Sequence, residues 1–263
     1  MTSAGSRRAP TSKVHTERHG AVLVVTLDRP EVRNAIDTET AWAVSDAMDE
    51  LDSDSTIALG VITGAGGMFC AGMDLKAFLA GERPSVGARG FAGLVEQPPG
   101  KPMIAAVEGA AVAGGFEIVL ACDLVVAAQD ARFGLPEVRR GLVAAGGGLL
   151  HLGRRIPLAI AMQWSLTGEL VPAFEAARFG LVNRVVPPGS AVDAALELAA
   201  AIASNGPLAV AATKRILTES RDWPAAEEFE RQRQIAEPVR ASADAREGAA
   251  AFREKRAPRW TGH

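Results

Sequence analysis

Cysteine, histidine and long apolar runs are all scarce in this chain of 263 residues, and each scarcity removes a class of function. The two cysteines, Cys70 and Cys122, sit in apolar contexts, and the four histidines, His15, His19, His151 and His263, are scattered. Neither set has metal-ligand spacing, so no metal is expected. No apolar run reaches the ~18 residues that a membrane-spanning helix needs. The opening MTSAGSRRAPTSK has basic residues but no apolar core, so a cytoplasmic protein without a membrane partner is expected. Positive charge is not in surplus: 28 Lys and Arg stand against 31 Asp and Glu, a net charge of -3. That balance leaves no electrostatic footprint for nucleic acid. A Gly-x-Ser-x-Gly elbow is missing too, and no histidine lies near a plausible serine motif, which argues against a serine-nucleophile hydrolase.

What is present is an ordinary globular balance, 48% hydrophobic and 22% charged, in a chain long enough for one large core with an appendage. The most informative stretch runs from Gly109 to Gly141, GAAVAGGFEIVLACDLVVAAQDARFGLPEVRRG. Small residues and the pair Gly114-Gly115 stand just before an apolar helix, an arrangement that brings bare backbone N–H groups close to a ligand. Glu117 lies inside the apolar run FEIVLA, where an ionised side chain is costly without a partner or a task. Glu137 follows in the turn FGLPE. Singly, each is compatible with an ion-paired or helix-edge residue; together they suggest general acid and base chemistry with separated pKa values.

Along the chain, strand and helix signals alternate. AVLVVTL (21–27), ALGVIT (58–63), KPMIAAV (101–107) and LVVAA (124–128) read as buried strands, with short strands near 131–133 and 182–186. A helix is expected after Asp37 or Thr38, with apolar positions Ala41, Val44, Met48 and Leu51 on one face. Gly64-Ala65-Gly66-Gly67 leads into FCAGMDL, a second glycine turn at a helix start. The segment 81–100, rich in Gly, Pro and Arg, reads as irregular or mobile near the site. Gly146-Gly147-Gly148 opens a further helix, and two more are expected over 157–166 and 172–179, the last closed by Gly180. Past about residue 190 the spacing is helical throughout, and the basic end FREKR reads as a solvated face. This predicts an α/β layered core with crossover connections.

With RPEVRNAID, FCAGMDL, KPMIAAVEGAAVAGGFEIVLACDLVVAAQDARFGLPEVRRGLV, LTGE, AARFGLVNRVV and AFREKR in view, the chain resembles the crotonase superfamily, the enoyl-CoA hydratase and isomerase family. The resemblance runs from about Val22 to the C-terminus. It implies an α/β crotonase-like spiral of ββα units over 13–200, a C-terminal helical region over 201–263 that packs subunits into trimers or hexamers, and a disordered tail over 1–12. It implies an acyl-CoA thioester substrate, an oxyanion hole made by the backbone N–H groups of Met73 and Gly114, and Glu117 and Glu137 as the catalytic carboxylates. Ala71, Gly72, Asp74, Leu75 and Gly115 would line the substrate, with Arg33, Phe252 and Lys255 toward CoA. No cofactor beyond the CoA of the substrate is implied. Hydration of a 2-enoyl-CoA is the expected reaction; likeness to the carnitinyl-CoA dehydratase branch, enoyl-CoA isomerisation and a non-catalytic acyl-CoA-binding scaffold are the alternatives. Two departures stand out: Ala113 where the family often has a third glycine, and Ala144-Ala145 where a proline-glycine turn is usual.

Overall fold

The computed structural model describes residues 13–263; the tail expected over 1–12 lies outside them. The apolar runs assemble into a six-stranded sheet. An edge hairpin of β1 (Val14–His19) and β2 (Val22–Leu27) is followed by α1 (Thr38–Ser53) and β3 (Leu59–Gly64). Next come α2 (Leu75–Leu79), the two-residue strands β4 (Ser85–Val86) and β5 (Gly90–Phe91), then β6 (Met103–Val107), β7 (Ala110–Val112) and α3 (Gly114–Ala121). β8 (Leu124–Ala128), β9 (Arg132–Gly134), a 3-10 turn (Pro136–Arg140), α4 (Gly148–Arg155), α5 (Leu158–Thr167), β10 (Val171–Pro172), α6 (Ala173–Arg178) and β11 (Arg184–Val186) complete the spiral. Four helices close the chain: α7 (Ala191–Ala203), α8 (Pro207–Glu219), α9 (Glu228–Ala241) and α10 (Ala243–Glu254).

The large sheet has the order β1-β2-β3-β6-β8-β11 and is parallel from β2 onward. Its inner strands read as continuous apolar runs because both faces are covered. One face meets α1 and α3 through Met48, Leu51, Ile62, Phe116 and Ile118. The other meets α7, whose Ala191, Ala195 and Ala199 recur every four residues against Val24, Val61, Ile104 and Val126. β1 escaped the sequence reading because only Val14 of VHTERH is buried, so an edge strand left no apolar run to see.

Each turn of the spiral gives one strand to this sheet, one to a smaller sheet, and then starts a helix. β6, β7 and α3 form one such turn; β8, β9 and the Pro136–Arg140 turn form the next. In the first, β3 leads to Cys70, bridged in parallel to Ala111 of β7, and then to α2. β7 pairs in parallel with β9. This repetition stacks the glycine turns before α2 and α3 side by side.

The segment 81–100 is irregular as expected but held down: Ala92, Leu94 and Val95 are fully buried, and Arg89 pairs with Asp49 of α1 at 2.6 Å. At the C-terminal end, Lys214 Nζ of α8 donates to the carbonyls of Pro99 and Lys101 and meets Asp123 at 2.8 Å. The division expected after residue 200 falls inside α7, because that helix belongs to the sheet it covers.

Candidate active site

The first glycine turn is positioned by the segment that precedes α1. Buried Asn34 takes Arg29 N–H on its Oδ1 and donates to the carbonyls of Ala65 and Met68, so it staples the turn after β3. Ile36 then lies alongside Met73: Ile36 N–H donates to Gly72 O at 2.8 Å, and Asp74 N–H donates to Ile36 O at 2.8 Å. In extended backbone, successive N–H groups face opposite sides. With its two neighbours bonded to Ile36, the Met73 N–H faces the other way and has no acceptor among the described residues.

The second turn supplies its counterpart. Ala113 holds φ 54°, ψ -128° and ties its own N–H to Gly134 O, so the chain swings sharply into α3. Gly114 N–H is a first-turn donor and has no acceptor among the described residues either. The two turns touch: a Cβ added at Gly72 would lie 2.9 Å from the Gly114 nitrogen. Gly115 is a packing glycine, since a Cβ there would sit 2.2 Å from the Cys70 carbonyl oxygen. A side chain at any of these positions would drive the turns apart.

Glu117 lies one helical turn into α3 and is only 4% exposed. Its Oε1 accepts the Gly148 N–H at 2.9 Å. Gly146 and Gly148 form a cradle around this side chain, for a Cβ on Gly146 would lie 2.7 Å from Glu117 Oε2 and one on Gly148 2.8 Å from its Cγ. Burial pushes the Glu117 pKa above the ordinary carboxylate value, and the N–H groups of Gly148 and Gly146 pull it partly back. Glu137, at the start of the Pro136–Arg140 turn, is half-buried, and its Oε2 is buried without a partner. Burial raises its pKa, and the nearby Glu117 charge raises it further, although its own backbone N–H and Arg140 lower it. The Glu117 charge therefore reaches Glu137.

Sequence reading missed three parts of this site because all depend on distant contacts. Phe91 of β5 lays its ring on Gly114, where an added Cβ would meet it at 2.4 Å, and its Cβ side faces Gly146. The glycine cradle is 31 positions from the acid it holds. Arg155, at the end of α4, donates to the carbonyls of Leu120, Cys122 and Asp123 at 2.9–3.1 Å and so closes the C-terminal end of α3.

A family model described as enoyl-CoA hydratase/isomerase matches residues 17–263. The chain belongs to the enoyl-CoA hydratase/isomerase family. It is 45% identical over 251 residues to the enoyl-CoA hydratase EchA19 of Mycobacterium tuberculosis, covering 92% of this chain and 94% of that one. It is 44% identical over 254 residues to a carnitinyl-CoA dehydratase of Salmonella arizonae, covering 94% and 97%. The crystal structure of the enoyl-CoA hydratase EchA1 from Mycobacterium marinum superposes with a TM-score of 0.95 at 55% identity, covering 96% of this chain and 100% of that one. The crotonase fold and an enzymatic role follow at the level of the family.

Within that family frame, the remaining expected residues divide. Ala71 and Gly72 lie in the first turn, half-buried and buried, and Leu75 is exposed at the start of α2. Asp74 has both carboxylate oxygens engaged: Oδ1 accepts from the N–H groups of Lys76 and Ala77, and Oδ2 meets Arg29 Nη2 at 3.0 Å. Its side chain is thus occupied by the fold rather than open to a ligand. Arg33 is exposed, in left-handed backbone beside Asn34. Phe252 and Lys255 are exposed on and just after α10, Phe252 at 88%, and within the single chain they do not join the paired turns.

Proposed function

We propose that the protein is an enoyl-CoA hydratase, a hydro-lyase that adds water across the 2,3 double bond of a 2-enoyl-CoA to give a 3-hydroxyacyl-CoA. The observation that carries this reading is the combination of two pKa-raised carboxylates, Glu117 and Glu137, the first of whose charge acts on the second, with two N–H groups, those of Met73 and Gly114, that have no acceptor among the described residues. The thioester carbonyl would sit between Met73 N–H and Gly114 N–H, which polarises the double bond and leaves C3 electrophilic. Ionised Glu117, its charge supported by the cradle N–H groups, takes a proton from water as the water oxygen bonds to C3. The electron pair of the double bond moves into an enolate whose oxygen the two N–H groups hold. The protonated form of Glu137, which burial and the Glu117 charge favour, then delivers its proton to C2. Burial favours the neutral form of both acids; the division of roles rests on what acts beside it, the N–H groups of Gly148 and Gly146 that oppose this push at Glu117 and the Glu117 charge that adds to it at Glu137.

No cofactor beyond the CoA of the substrate is needed for this chemistry, in which two acids and two dipoles supply every proton and charge. The CoA part would be held by Arg33 and, from a neighbouring subunit, by Phe252 and Lys255. We assign the protein to the cytoplasm as a homotrimer or hexamer, on the large apolar side chains that the single chain leaves exposed, among them Leu150, Phe174, Phe229 and Phe252. No single helix among the described residues is long and apolar enough to cross a membrane.

A second reading, hydration of a carnitine-derived enoyl-CoA, is supported by the likeness to a carnitinyl-CoA dehydratase at 44% identity. The test is loss of enoyl absorbance on mixing the purified protein with crotonyl-CoA and, separately, with crotonobetainyl-CoA. Hydration of the first at the higher kcat/KM is expected, and a preference for the second would transfer the assignment. Turnover of a 3-enoyl-CoA without hydration would make the protein an isomerase. Failure to bind any acyl-CoA would leave a scaffold.

A further inference from the structure

The oxyanion turn is tied to a buried charge cluster that has no part in the chemistry described above. Arg29, just after β2, has its side chain 13% exposed, against 10% for Asp37 and 12% for Asp74. Its Nη2 lies 3.0 Å from Asp74 Oδ2 and 3.2 Å from Asp37 Oδ2, and its Nη1 donates to the Ala35 carbonyl. One guanidinium therefore grips three points: the residue after Met73, the N-cap of α1, and the strand segment that pairs with the turn. That segment is the one whose Ile36 fixes Gly72 O and Asp74 N–H, and whose Arg33 carbonyl accepts Ala71 N–H at 3.0 Å. Asp74 also caps α2 through Lys76 and Ala77 N–H, so its side chain links the guanidinium to the helix beyond the turn. Burial alone would raise the Asp74 pKa, but the bond from Arg29 and those from Ala77 and Lys76 outweigh it, so the carboxyl stays ionised and the grip is charge-assisted.

We infer that Arg29, acting through Asp74 and the Ile36–Met73 pairing, is a positioning residue for the oxyanion hole: it sets the direction and distance of the Met73 N–H relative to the Gly114 N–H. The planar fork suits this work, because its donors span carboxylates and a carbonyl in fixed geometry. A lysine would offer its three donors from a single point, without the fixed fork. The N–H groups on either side of Met73 are bonded to Cys70 Sγ and to Ile36 O, so the grip on Asp74 and on the Ile36 segment reaches the Met73 donor through its neighbours. Loosening the grip would let the turn drift and weaken the bond to the thioester oxygen while the Gly114 donor, carried by α3, stays in place.

This inference rests on the hydratase reading, and the test separates the two. A conjugated dienoyl thioester, 2,4-hexadienoyl-CoA, absorbs at longer wavelength when its carbonyl is polarised, so its spectrum reports the oxyanion hole directly. The parent protein should red-shift the bound thioester. Arg29→Gln should keep its circular dichroism and its mass in solution, lose most of the shift, and lose kcat for crotonyl-CoA on the order of 10²-fold with KM changed less than about threefold, the scale of a small misplacement of a reacting group. Arg29→Lys should recover part of both. Should Arg29→Gln fail to fold, Asp74→Asn carries the test: it keeps an oxygen for the α2 cap but loses the charge that Arg29 holds, and the shift and kcat should fall together. A parent-sized shift and kcat in folded Arg29→Gln or Asp74→Asn would overturn the positioning role. No shift even in the parent would overturn the oxyanion reading, and this inference with it.

Discussion

At the scale of single residues, Glu117 and Glu137 are like side chains to which the proposed hydration gives opposite tasks. Both have pKa values raised above the ordinary carboxylate value, for which burial is the largest cause, so their stabilising contribution is that of the protonated form. That contribution is complete below the unfolded pKa of about 4.3 and is lost as pH rises through the raised folded values. At pH 7 to 8 an ionised Glu117 therefore costs stability. Glu117→Gln should melt at or above the parent temperature at pH 7.5, with the difference shrinking toward pH 5; a lower melting temperature at pH 7.5 would mean that the negative charge stabilises the fold. Glu117 stood out in the sequence because charge inside an apolar run is conspicuous at short range, and Glu137 because it follows in the turn FGLPE. The residues that tune them did not, since Gly148 reaches Glu117 across 31 positions.

At the scale of elements, the geometry depends on helix α3 being fixed at both ends. Its start is a strained turn: Ala113 occupies φ 54°, ψ -128°, a region that favours glycine and costs a side-chain-bearing residue about 1–3 kcal/mol. Ala113→Gly should raise unfolding free energy by about 1 kcal/mol and leave hydration unchanged, which urea unfolding and a rate assay together would check. Its finish is closed by half-buried Arg155, which donates to carbonyls at and just past the helix end. Arg155→Met, which strands those carbonyls, should cost about 2–3 kcal/mol in urea with an unchanged denaturant slope. The glycine turns themselves were legible, because Gly72, Gly114 and Gly115 announce close backbone approach by composition alone. The closing helix end, the β1 edge strand and Phe91 were not, for each is defined by what it packs against rather than by a local pattern. The same holds for segment 81–100, whose Gly and Pro content suggested mobility while Leu94 and Val95 anchor it in the core.

At the scale of the whole molecule, the parallel sheet and its two covering layers followed from alternating strand and helix signals, whereas the spiral path required the family resemblance. Periodicity says that strands are buried; it does not say which of two sheets receives each one. The single chain also leaves Leu150, Leu158, Leu166, Phe174, Phe229 and Phe252 exposed, large apolar side chains that a neighbouring subunit could cover. Sedimentation should give the mass of a trimer or hexamer, and Phe252→Asp should shift that mass downward and raise KM for the acyl-CoA together. A monomeric parent with full activity would remove the neighbouring subunit from the site.

The central claim is that Glu117 and Glu137 serve one reaction from opposite protonation states. The most direct measurement is the steady-state rate of crotonyl-CoA hydration by the parent, Glu117→Gln and Glu137→Gln, each confirmed as folded. Loss of roughly 10²–10⁴-fold in kcat is predicted for either substitution, the usual range for removing a general acid or base. A parental rate in either variant would contradict the account.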